Sequence, residues 1–162
     1  MRLAKIPLLC GAAHLVAACG TLLLLHTHPR VMWLLWMIAA ASLIAFYAWW
    51  GARIGKMIPV AIAAAGLLCD FTGELLFMFK PELDRPASLL TGGAANGLYT
   101  LAAILLTLAT PSLPLRWLAW LAWISGTVLV IMTLFDFRIG VMISSAALMA
   151  FFIPWVFIMS RR

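Results

Sequence analysis

The chain has 162 residues, 66% of them hydrophobic and only 10% charged, with a formal net charge of +6. Soluble domains average about 45–50% apolar and 25% charged residues, so no soluble fold of this size hides so much apolar surface, and lipid must be the solvent for most of the chain. Lys and Arg stand singly between apolar runs and form no stripe, which excludes a nucleic-acid-binding protein and points to basic flanks that meet lipid headgroups.

A membrane span needs about 20 mainly apolar residues. On that scale the sequence predicts an all-α integral membrane protein of six transmembrane helices, over 6–25, 31–51, 57–79, 87–109, 117–135 and 139–159. The breaks hold polar and turn residues, and no stretch remains for a soluble domain, so residues 1–162 read as one transmembrane unit. The last break, 136–138, is so short that it demands a tight antiparallel hairpin.

In the first span, Val16-Ala17-Ala18-Cys19 resembles a lipoprotein cleavage box, but the apolar run continues through Leu25 and reads as an uncleaved helix. Cys10 and Cys19 are about 13.5 Å apart by helical rise, too far for a disulfide. With Cys69 they are expected to be buried thiols. His14 lies mid-span. Cys10 and His14 share an i,i+4 face, but no paired His or Cys motif accompanies them, so no metal and no cofactor is expected.

Trp33, Trp36, Trp49 and Trp50 of the second span, Trp117 and Trp120 of the fifth and Trp155 of the sixth are expected to be interfacial anchors. Trp123 lies deeper, where lipid contact is the first expectation and a place in a cavity lining the second. The third span opens on Pro59, which a first turn tolerates, and carries Asp70 and Glu74 one turn apart. The fourth carries Gly93-x-x-x-Gly97, a spacing that permits close helix approach, with Asn96 and Tyr99 on one face. Gly66 and Gly73 are expected to do similar work around the carboxylates. Pro154 is expected to kink the sixth span or free a carbonyl.

The halves 6–79 and 87–159 resemble each other. Gly11-Ala12-Ala13-His14 recurs as Gly93-Ala94-Ala95-Asn96 at an offset of 82, and Trp33-x-x-Trp36 as Trp117-x-x-Trp120 at 84. Arg53-Ile54-Gly55-x-Met57-Ile58 recurs as Arg138-Ile139-Gly140-x-Met142-Ile143 at 85. Two three-helix repeats of inverted topology are the expectation, with a binding site near the midplane between them. The carboxylates have no counterparts in the second half, so the site itself is not symmetric.

Lys and Arg favour one side: Arg2, Lys5, Arg53, Lys56, Arg116, Arg161 and Arg162 against Arg30, Lys80, Arg85 and Arg138. The bias predicts a multi-pass protein of the cell membrane with both termini cytoplasmic.

Each intramembrane carboxylate costs about 2.5–3.5 kcal/mol on insertion scales and marks function. Asp70, Glu74, His14, Asn96 and Tyr99 form the candidate ligand- or proton-binding set. Two anions one turn apart are not both desolvated cheaply, so at least one is expected to exchange a proton. The leading expectation is a small transport or ligand-binding membrane protein for a small solute, cation or proton, as a homodimer if the solute crosses. A lipid- or isoprenoid-modifying enzyme with Asp70 and Glu74 as acid and base is the first rival. The second is a non-catalytic subunit or assembly factor. There Asp70 would only fix packing through His14 or Asn96, and Glu74 would reach out to Lys80 or Arg85. No nucleophile motif, phosphate loop or dinucleotide fingerprint is present.

Overall fold

A computed structural model describes residues 4–161, so Arg2 and Arg162, counted in the basic bias, lie outside the described residues. Among these residues there is no strand. Six helical segments are long and apolar enough to cross a membrane. They are α1 (Lys5–Leu24), α2 (Pro29–Ile54), α3 (Ile58–Phe79), a composite fourth (Pro81–Leu108), α6 (Arg116–Leu134) and α7 (Arg138–Met159).

Local chemistry sets the ends. Pro29 and Pro59 occupy first turns, where the missing N–H is no loss. Gly55 closes α2 in the left-handed conformation at φ 66°, its N–H bonded back to Ala52 and Gly51. Asp136 turns the α6–α7 hairpin at φ 56°, a conformation that Asp tolerates better than most side chains.

The fourth span is irregular. A 3₁₀ turn (Pro81–Leu83) leads into α4 (Asp84–Ser88), then a π-helical stretch (Leu89–Ala95), then α5 (Asn96–Leu108). The Asn96 amide donates to the Thr91 carbonyl at 2.8 Å, so a side chain caps the widened turn. That extra residue rotates the register. Gly93 therefore faces open space and Gly97 meets only Val130 at 3.8 Å, contrary to the expected close approach through Gly93 and Gly97. Gly92 is the contact point instead: a Cβ there would lie 2.7 Å from the Thr133 hydroxyl of α6.

Each span packs on its successor in chain order, and α7 returns to α1, so the six spans close a ring. Halves related by a two-fold axis in the membrane plane would wind around the bundle in opposite senses. A ring that follows chain order winds in one sense throughout, so the sequence repeat is not expressed as an inverted pair.

The two ends of the ring differ. The turns near His26, Lys80 and Asp136 share one end, here the histidine end. Lys5, Arg53, Lys56, Arg116 and Arg161 share the other, the basic end. From mid-depth towards the basic end an aromatic block fills the centre of the ring. Phe46, Trp50, Trp123, Phe152 and Trp155 interlock there, with ring centroids of neighbours as close as 5.5 Å for Trp50–Trp155 and Trp123–Trp155.

This corrects the reading of the tryptophans as lipid-facing anchors. Trp123 is 3% exposed, and Trp50 and Trp155 are equally buried. Each indole N–H has an internal acceptor: Thr110 for Trp50, Thr107 for Trp123 and the Pro114 carbonyl for Trp155. Six slender helices leave a wide centre that only large side chains fill, and a buried indole stays inside once its N–H is satisfied. Trp117, 59% exposed, keeps the expected outward position.

Candidate functional site

In the half of the ring towards the histidine end the six spans enclose a cavity of about 710 Å³. Tyr47, Trp123 and Phe152 line its floor and belong to the aromatic block, so the cavity stops near mid-depth. A volume of this order falls within the range of small-molecule sites.

One wall is acidic, and the sequence of α3 explains why. Gly66, Asp70, Gly73, Glu74 and Phe77 recur at helical spacing and share one face. The glycines let the fourth span come close. A Cβ on Gly66 would lie 2.9 Å from the Tyr99 ring, and one on Gly73 would lie 2.5 Å from Thr91 and 2.9 Å from the Ala87 carbonyl oxygen. Such contact holds the carboxylates against the polar edge of the fourth span.

All five candidate residues line this one cavity. Their roles within it differ. Tyr99 donates its hydroxyl to Asp70 Oδ2 at 3.1 Å, while the Tyr99 carbonyl accepts the Tyr47 hydroxyl at 3.3 Å. Asp70 is thus tied to a hydroxyl of the fourth span, with no bond to His14 or Asn96. The Asn96 amide is committed to Thr91. His14 donates Nδ1–H to the Cys10 carbonyl at 2.9 Å. A carbonyl only accepts, so the neutral ring carries its lone pair on Nε2. Its face packs edge-on against Phe152 at 5.0 Å.

Glu74 stands apart. It is 5% exposed, and its Oε2 has no hydrogen-bond partner among the described residues. Among the described residues no Lys or Arg lines the cavity. The outward pairing with Arg85 is not made. Arg85 donates to the Thr133 and Leu134 carbonyls at 2.7 and 2.9 Å and meets Asp136 at 3.4 Å, closing the last turn of α6. A buried acceptor without a donor costs about 1–3 kcal/mol, more when charged.

Sequence reading missed several lining groups. Trp33 and Trp36 lie on the cavity with Phe77, and Trp36 donates to Thr21 at 2.9 Å. Thr21, Thr91 and Thr133 add hydroxyls. Their only signal was a Thr inside an apolar run, which is common where a hydroxyl bonds back to its own helix, as Thr133 does to Leu129. Among the described residues no three His, Cys, Asp or Glu side chains gather as a metal site.

Comparison with family models, curated proteins and solved structures finds no match to the chain.

Proposed function

We propose that this is a multi-pass membrane protein that binds a small solute bearing a positive charge or hydrogen-bond donors, held by Asp70 and Glu74. The observation that carries the reading is the buried Glu74 carboxylate, unpartnered at Oε2, in the wall of a cavity with no cation of its own. A carboxylate in such a site is stabilised when a donor arrives, so the resting cost of the acid becomes affinity for its ligand. Tyr99 holds Asp70 in place, and the apolar walls exclude water and strengthen the attraction.

The basic bias supports a cell-membrane protein with both termini in the cytoplasm. The cavity then lies in the half of the bundle away from the cytoplasm. Binding needs one chain only, since the ring closes on itself. Passage of a solute or proton across the membrane needs the aromatic block around Trp50 and Trp155 to part.

One observation favours a second reading, acid–base catalysis on a lipid-like substrate. Asp70 accepts a hydrogen bond and Glu74 Oε2 has none, and unlike environments of this kind separate a general acid from a general base.

Tryptophan fluorescence tests binding, because Trp33, Trp36 and Trp123 line the cavity. Protein in phosphatidylcholine nanodiscs is titrated with hexylamine, a cation at neutral pH. Saturable change is expected, weakened at least tenfold, or about 1.4 kcal/mol, in Glu74→Gln. Hexanoate is expected to give no change. Equal titrations for wild type and Glu74→Gln would sink the reading. Turnover of an added lipid, lost in both Asp70→Asn and Glu74→Gln, would favour the enzyme.

A further inference from the structure

The rim of the cavity tells how a ligand gets in. Nearly every pair of neighbours around the ring is cross-tied in the cavity half. Thr21 of α1 takes the Trp36 indole N–H of α2. Trp33 of α2 stacks on Phe77 of α3 at 4.4 Å, with ring planes 8° apart. Gly73 of α3 presses on the fourth span, and Arg85 joins that span to the end of α6. Three turn residues alone connect α6 to α7, and Gly140 packs on Met132 across that hairpin.

The α1–α7 pair is different. Ala4–Ser160, Gly11–Phe157 and His14–Phe152 tie it together from mid-depth to the basic end. In the cavity half each helix turns to another partner: Gly20 to Leu35 of α2, and Gly140 to Met132 of α6. Leu22 of α1 and Met142 of α7 both line the cavity, yet they are 86% and 72% exposed. Residues that face the cavity and the outside together mark a mouth, and this mouth is apolar and lies in the side of the ring.

From this we infer that the ligand is an amphiphile of the lipid leaflet, with a primary amine head and an alkyl chain. It enters sideways between α1 and α7 at the histidine end. The inference rests on the acidic-cavity reading above and adds the ligand class and the route. The amine brings the positive charge that the lining lacks, together with N–H donors that are free to meet Glu74 and Asp70. The chain lies against Leu22, Met142, Ala146 and Met149, where the Ser145 hydroxyl is the one polar group that α7 brings to the lining. A wholly polar solute would leave that wall unmatched and would have to cross lipid to use this mouth.

The test uses hexadecylamine with a terminal photoreactive diazirine, in phosphatidylcholine nanodiscs with the full chain. Adducts are mapped by mass spectrometry, and hexylamine binding is followed in parallel. The expected result is adducts on Leu22, Met142, Ala146 or Met149, reduced at least fivefold in Glu74→Gln. Adducts on the lipid-facing Leu9 and Ile38 should be equal in both. The variant Ala146→Phe, which narrows the mouth, is expected to lower adducts on Leu22, Met142 and Met149 at least fivefold, while adducts on Leu9 and Ile38 and the thermal unfolding of the protein stay as in wild type. If adducts form only on the outer surface and ignore Glu74 while hexylamine binds, the lipid route and the amphiphile are wrong and the acidic cavity stands. If hexylamine also fails to bind, both readings fall.

Discussion

Glu74 is a cost that the fold carries, and this separates it from its neighbours. Removing a contact that holds helices together destabilises, whereas removing an unpaired buried acid does the reverse. Glu74→Leu is therefore expected to stabilise the protein by about 1–3 kcal/mol, the cost of an unsatisfied buried acceptor. Thermal unfolding in one detergent measures this, and hexylamine binding should vanish in the same sample. A drop in stability would make Glu74 a packing residue. Tyr99→Phe is expected to act oppositely, losing about 1 kcal/mol as Asp70 loses its donor. At this scale the acids were legible because a charge inside an apolar run is expensive and visible. Trp123 was not. In lipid both faces of a helix are apolar, so hydrophobic period does not say which face is inside, and only the indole partner Thr107 reveals it.

Among elements, span positions were legible and span interiors less so. Length and apolarity placed all six helices, with Pro29, Pro59 and Gly55 marking their ends. The π-helical stretch left no such mark, because Thr91-Gly92-Gly93 reads equally well as a regular helix, and the shift from Gly93 to Gly92 followed from it. The contrast is testable. Gly73→Ala would place a methyl 2.9 Å from the Ala87 carbonyl oxygen, a backbone atom that does not swing aside. It is expected to cost about 1–3 kcal/mol, as overpacking does. Gly93→Ala meets nothing within 4 Å and is expected to stay within about 0.5 kcal/mol of wild type. Both are read from thermal unfolding. Equal losses at the two positions would mean that the fourth span keeps a regular register.

The whole molecule is a ring with an aromatic block in one half and a cavity in the other. The short last break announced the α6–α7 hairpin, but neither the closed ring nor the pair that would part was legible, since nothing in the apolar surfaces of α1 and α7 sets them aside. The repeat in sequence carried less, because Gly, Ala and Trp recur for packing reasons as easily as by duplication. Orientation belongs to this scale as well. Cysteines at Arg53 and His26, in a variant lacking the three native thiols, are expected to be shielded from and open to an impermeant maleimide applied to whole cells, respectively. The reverse pattern would invert the topology.

The central claim is that Glu74 waits unpaired in a cavity that lipid-soluble molecules reach. Dicyclohexylcarbodiimide, an apolar reagent that modifies protonated carboxyls, tests it directly when the modified residue is identified by mass spectrometry. The account predicts an adduct at Glu74, suppressed at least tenfold by hexylamine. Modification confined to the exposed Glu82, Asp84 and Asp136, or at Glu74 but indifferent to the amine, would contradict it.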